Sequence, residues 1–180
     1  MQVSPGAMLA TLTLTTGERM VFELYPEKAP ITTANFVDLC DSGFYDGLQI
    51  CRIAKGWVLQ GGSPDNDIMT DSHFHLEGEF AENGHDTGLD HRRGALSMAR
   101  DDTPNTAGTQ FFIVHQDAHV LDGRYAAFGQ MVEGYDVMDR LAELPTSGKE
   151  TWNNPLDPPV IASFRVDRRG LPLPPVRRLP

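Results

Sequence analysis

The chain is short of cysteine, of positive charge and of long apolar runs, and each shortage removes a class of protein. Only Cys40 and Cys51 occur among its 180 residues. Neither sits in a CxxC pair or a Cys/His cluster, so both are read as free thiols suited to a reducing compartment. Fifteen Lys and Arg face twenty-five Asp and Glu, a formal net charge of −10. Nucleic-acid binders and polybasic membrane-surface proteins need a positive face, so neither kind of partner is expected. No apolar stretch approaches the ~20 residues that span a bilayer. Met1–Ala7 has neither a positive n-region nor an apolar h-region, so no secretory signal is expected and the cytoplasm is the expected location. The length fits one domain with an adequate core.

Familiar chemical signatures are missing too. Ser63 and Ser97 lack a Gly-x-Ser-x-Gly setting, and Gly61-Gly62-Ser63 is not followed by Gly-Lys-Ser/Thr. Covalent catalysis and phosphate cradling are therefore disfavoured. His73, His75, His85, Asp86 and His91 lie close in sequence, but they read more simply as a hydrated loop. No metal and no cofactor is assigned.

What remains is a succession of short β-strands. Met8–Leu14 alternates apolar residues with Thr11 and Thr13, and Met20–Tyr25 follows a Thr16-Gly17-Glu18 turn, which predicts an N-terminal hairpin. Pro30 suits the first turn of a helix running to Cys40, because the N–H it lacks has no helical partner there. Further strands are predicted at 50–53, 57–60, 95–98, 111–114, 126–132 and 160–166. A second helix is expected over 134–144, where Tyr135, Val137, Met138, Leu141 and Leu144 recur at helical spacing. Many strands with two helices favour an antiparallel barrel or sandwich over a doubly wound fold. The polar stretch 61–93 is long for a loop in a compact domain, and such loops tend to be functional. The end of the chain reverses the charge: residues 165–180 hold five Arg and one Asp. The Pro-rich stretch 170–180 is expected to be extended and outside the core, against an acidic surface.

An ordered set of motifs narrows the choice further. It runs Phe44-Tyr45-Asp46-Gly47, Arg52-Ile53, Gln60-Gly61-Gly62, Gly78-Glu79-Phe80 and Leu96-Ser97-Met98-Ala99. Pro104-Asn105-Thr106, Gly108-Thr109-Gln110-Phe111-Phe112, Leu121-Asp122-Gly123 and Phe128-Gly129 complete it. In order and spacing these segments resemble the cyclophilin family of peptidyl-prolyl cis-trans isomerases, over about residues 8–167 and most like its bacterial branch. The resemblance implies a mainly β fold, a closed eight-stranded antiparallel β-barrel capped by two α-helices. It divides the chain into an isomerase domain, 1–167, and a basic Pro-rich tail, 168–180.

The resemblance also implies a site. Arg52 would favour the twisted X–Pro amide, with Gln60 as its catalytic companion. Trp57, Val58, Phe112 and Leu121 would line a proline pocket, while Ala99 and the backbone of Arg100 would hold the residues before proline. Gln110, Val120 and Tyr125 complete the expected substrate-binding set. Val120 stands where familiar members carry a rim Trp, and Tyr125 where they carry a His, so cyclosporin binding is expected to be weak. The expected partners are proline-containing peptides and unfolded clients, and a monomer is expected. The competing reading is a Pro-peptide-binding or chaperone module in which isomerisation is incidental. Arg52, Gln60, Gln110 and Phe112 together favour the enzyme.

Overall fold

The computed structural model describes residues 3–180; Met1 and Gln2, part of the stretch read for a targeting signal, lie outside them. The eight strands are β1 (Met8–Leu14), β2 (Arg19–Leu24), β3 (Arg52–Ala54), β4 (Val58–Gly61), β5 (Ala95–Met98), β6 (Phe111–Val114), β7 (Ala127–Glu133) and β8 (Ile161–Asp167). The two α-helices are α1 (Pro30–Asp41) and α2 (Tyr135–Ala142). The predicted hairpin forms with Leu12 opposite Met20, and Met8, Ala10, Leu12 and Leu14 all face inward. Helix α1 begins at Pro30, as expected, whereas α2 is shorter than the expected 134–144 by one residue at its start and two at its end. Gly134 opens α2 with φ +92°, and a Cβ there would lie 2.5 Å from the Arg19 carbonyl oxygen, so this position requires glycine.

All strand pairs are antiparallel, in the order β3-β4-β6-β5-β7-β2-β1-β8. The expected closed barrel needs correcting at one seam, because β3 and β8 do not pair as strands. The three residues of β3 all pair with β4, and none of them pairs with β8. The segment before β3 spans the gap instead. Gln49 bridges Val160, the Ile50 amide donates to Pro159 O at 2.9 Å, and the Ile161 amide donates to Leu48 O at 2.8 Å. The sheet is thus open but curled, with its edges tied by a loop.

Side chains fill the interior. Phe36 of α1 is fully buried, with ring centroids 4.9 Å from Phe164 and 5.0 Å from Phe128. Successive strand residues point to opposite faces, and this alternation builds the site. In β4 and β6, Leu59, Phe111 and Ile113 join the main core. Their neighbours Val58, Phe112 and Val114 form a second apolar cluster with Ala54, Ala95, Ala118 and Leu121.

The long polar stretch is ordered by polar contacts. Buried Glu79 accepts from the Ile31 amide at 2.9 Å and the Thr32 amide at 2.8 Å, capping α1 from 48 residues away in sequence. The tail is extended and lies against an acidic surface, as expected, but it also packs on the core. Leu179 pairs with His75 through two backbone hydrogen bonds of 2.8 and 2.9 Å, and Leu173 packs on the main core. Arg178 donates to Asn35 Oδ1 at 2.8 Å and to Asp38 at 2.7 Å, and Arg168 pairs with Asp41. The basic end therefore lies on the acidic face of α1 as an integral strap, because its arginines find carboxylates there.

Candidate active site

Pairing of β3 with β4 sets Arg52 opposite Gln60, and pairing of β4 with β6 sets Gln60 opposite Phe112. Three polar side chains then form a relay. Arg52 Nη1 donates to Gln60 Oε1 at 3.2 Å, and Gln60 Nε2 donates to Gln110 Oε1 at 2.9 Å. Gln110 Nε2 donates onward to the carbonyls of Thr70 at 3.0 Å and Ile68 at 3.2 Å. This chain fixes the Gln60 amide so that its oxygen faces the guanidinium. Arg52 Nε is buried without a hydrogen-bond partner. Burial pulls the Arg52 pKa down from its ordinary value, yet a guanidinium stays charged at any physiological pH.

Arg52 borders a groove of about 510 Å³. Trp57, Val58, Gln60, Ala99, Arg100, Phe112, Leu121 and Tyr125, all expected at the site, line it together. Gln110 lies behind Gln60 and lines a smaller polar recess beside the groove. Val120 is the exception: it is 67% exposed on the His119–Leu121 turn and does not line the groove. Ala99 is held by its amide, which donates to Gln110 O at 2.9 Å. The Arg100 side chain folds away, donating to Arg124 O at 2.9 Å and stacking over Phe80 and Tyr125 at 4.9 and 4.7 Å.

Beneath Phe112 lies a feature that sequence reasoning missed. His91, assigned to the hydrated loop, is fully buried and stacks on Phe112 at a centroid distance of 5.8 Å. Its Nδ1 is 3.0 Å from Asp122 Oδ1, and its Nε2 is 3.0 Å from Ser97 Oγ. A carboxylate only accepts, so Nδ1 carries the proton and the Ser97 hydroxyl donates to Nε2. Burial pulls the His91 pKa below its ordinary value despite Asp122. Burial would raise the Asp122 pKa, but hydrogen bonds from the His91 amide, His119 and the His91 ring hold it below its usual range. This Asp–His–Ser line supplies no nucleophile, because Ser97 is fully buried. It makes a hydrogen-bonded bed for Phe112, in which the ring that touches Phe112 is the His91 imidazole.

Other groove residues were missed as well. Ile68 and Met69 come from the long polar loop, and Trp152 comes from a turn after α2. No motif marks them; the functional reading of the long loop was the one signal that pointed toward Met69. Among the described residues, no group of three His, Cys, Asp or Glu side chains is arranged to hold a metal ion. The His85 ring instead meets Lys28 O at 2.9 Å, and the His75 ring lies 3.7 Å from Asp71.

A curled antiparallel sheet with two helices and a groove that sets Val58, Phe112 and Leu121 beside the Arg52 guanidinium suits an extended, partly apolar peptide. The family model for "cyclophilin type peptidyl-prolyl cis-trans isomerase/CLD" matches residues 11–166. The chain belongs to that family, whose reaction is rotation about the X–Pro peptide bond. Among curated relatives, peptidyl-prolyl cis-trans isomerase B of Bacillus subtilis is 42% identical over 120 residues, covering 67% of this chain and 80% of the relative. Peptidyl-prolyl cis-trans isomerase A of Dickeya dadantii is 34% identical over 164 residues, covering 88% and 84%. These bacterial relatives agree with the branch expected from the long polar stretch. A cyclophilin type isomerase of Cryptosporidium parvum superposes with a TM-score of 0.80 at 27% identity, covering 89% of this chain and 98% of that one. A second structure of that protein, determined in the presence of the dipeptide Ala-Pro, gives 0.79 at 27% identity, covering 88% and 98%.

Proposed function

We propose that the groove binds proline within an extended peptide and that Arg52 lowers the barrier to rotation. An amide resists twisting by about 18–20 kcal/mol, and X–Pro bonds interconvert unaided in tens to hundreds of seconds. An acceleration of about five decades needs roughly 7 kcal/mol of preferential binding to the twisted state. No covalent bond breaks and no proton need move. As the amide twists, its nitrogen regains a lone pair, and a fixed cationic donor favours that form over the planar one. Arg52 meets the requirement because Gln60, itself held by Gln110, fixes its fork. This relay carries the reading.

Phe112, Val58, Leu121 and Trp57 are the walls for the proline ring, Ala99 and Arg100 hold the preceding residues, and the Tyr125 hydroxyl serves a substrate carbonyl. Val120, on the rim, is the position that weakens cyclosporin binding; strong inhibition of the unaltered protein, undiminished relative to Val120→Trp, would refute that role. Residues 1–167 act as the isomerase domain and 168–180 as its strap. The protein works as a monomer on proline-containing peptides and unfolded clients. Free thiols at Cys40 and Cys51 favour a cytoplasmic location, and among the described residues no helix is long and apolar enough to cross a membrane.

The alternative, a binding module with incidental activity, is separated by exchange spectroscopy on an Ala-Pro peptide without a coupled protease. An isomerase at catalytic concentration speeds exchange, and Arg52→Ala abolishes the gain while the peptide still binds. Equally slow exchange with both proteins would leave only the binding module.

A further inference from the structure

Trp57 and Trp152 are the chain's only tryptophans, and both lie against Arg52. The guanidinium carbon is 5.1 Å from the Trp57 ring centroid and 5.8 Å from that of Trp152. Trp152 is 49% exposed. Its backbone has φ +62°, a left-handed conformation that a bulky residue rarely adopts. The surroundings hold it there: the Ile53 amide of β3 donates to Asn153 O at 3.0 Å, and the Asn153 amide donates to Gly148 O at 2.8 Å. An exposed indole kept in a strained turn beside the groove arginine points to a ligand on its far side.

On that side lies a second cavity, of about 800 Å³, sharing Arg52, Trp57 and Trp152 with the proline groove as a common wall. Its remaining charged lining is Lys55, Lys149 and Glu143. Lys55 pairs with Glu143 at 2.6 Å, while Lys149 has no carboxylate within ion-pair distance among the described residues. Residues 1–164 carry ten Lys and Arg against twenty-four Asp and Glu, so three cations against one carboxylate around this cavity reverse the balance of the body. We propose that this cavity is a subsite for the residues that follow the proline, and that Lys149 and Trp152 select an acidic side chain there. The inference rests on the groove being the proline site with the preceding residues along Ala99–Arg100, so that the chain leaves past the two indoles. The indole faces would cover the peptide backbone and methylenes, and Lys149 would meet the carboxylate.

The test uses the whole protein and peptides Ala-Ala-Pro-Xaa-Ala with Xaa as Glu, Gln or Lys. Exchange rates give kcat and KM, and quenching of the two tryptophans gives Kd. The wild type should prefer Glu over Lys by about three- to tenfold, the size expected of one or two screened surface charges, and about 0.5 M salt should erase the preference. Lys149→Glu should remove or invert the ratio through KM and Kd, not kcat. Trp152→Ala should raise KM for all three peptides. Arg177→Glu, the same charge change on the tail and outside both cavities, should keep the wild-type ratio. A flat wild-type ratio, or the same ratio in Lys149→Glu and Arg177→Glu, overturns the subsite. Catalysis with a flat ratio sinks the subsite alone. Absent catalysis sinks the isomerase reading, and the fluorescence titrations still decide the subsite.

Discussion

Replacing His91 by Phe isolates the bed beneath the proline groove. Phenylalanine keeps a ring of similar size against Phe112 but loses both nitrogens. Ser97, fully buried, then has no acceptor for its hydroxyl. A buried hydroxyl left unsatisfied costs about 1–3 kcal/mol. Asp122 is only partly buried and keeps the His91 amide and His119 as donors, so loss of the ring contact costs about 0.5–1.5 kcal/mol. The larger apolar surface of Phe offsets part of this. A net loss of about 2–3 kcal/mol follows, or roughly 4–12 °C in Tm for a chain of this size. Thermal and urea unfolding followed by circular dichroism measure it. The double variant His91→Phe/Ser97→Ala removes the stranded hydroxyl and should recover about 1 kcal/mol. KM for a proline peptide should rise in the single variant as Phe112 loses its fixed support. A single variant as stable as wild type, or a double variant no more stable than the single, would refute the hydrogen-bonded bed.

The same histidine sets a pH dependence. Burial keeps folded His91 below its ordinary pKa, so its contribution to stability is complete above the unfolded value of about 6.5 and is lost as the pH falls toward the folded value. His119, raised by its hydrogen bond to Asp122, acts oppositely: its contribution holds below about 6.5 and fades as the pH rises. In a His119→Gln background, Tm should therefore drop between about pH 7.5 and 5, and less so once His91 is also Phe; a rise on acidification would contradict the assignment. Glu79→Gln places an amide group against one of two helix N–H donors and should cost about 2 kcal/mol in urea unfolding; a change below about 0.5 kcal/mol would mean the cap contributes little. Removing 168–180 strips the Arg178 contacts, the Leu179 pairing and the Leu173 packing. That truncation should lower stability by about 2 kcal/mol while retaining exchange catalysis, and loss of catalysis in a folded truncation would make the strap part of the enzyme.

Much of this architecture was legible because strand signals are local. Met8–Leu14, with its alternating burial, and the fully buried runs Ala95–Met98 and Phe111–Val114 match their strands residue for residue. The groove was legible as an ordered set of motifs, and eight of the expected side chains line it with Arg52. Long-range contacts were not legible. His91 looked like one more polar loop residue because nothing local reveals that Asp122 and Ser97 surround it. Trp152 joins the groove only through a strained turn tied to β3 by Asn153. The acidic surface under the tail was anticipated, but its particular partners, Asn35, Asp38 and His75, were not, because they lie more than 100 residues earlier. Barrel closure failed at the seam before β3, where Gln49 and Val160 form an isolated bridge and no ladder.

The central claim is that a fixed guanidinium fork, rather than positive charge alone, favours the twisted amide. Arg52→Lys keeps the charge but discards the fork that Gln60 orients. Exchange spectroscopy on an Ala-Pro peptide should show kcat reduced by about tenfold or more, approaching the loss of two to three decades typical when a transition-state donor is removed. KM should change far less. Wild-type kcat in Arg52→Lys would contradict the claim directly.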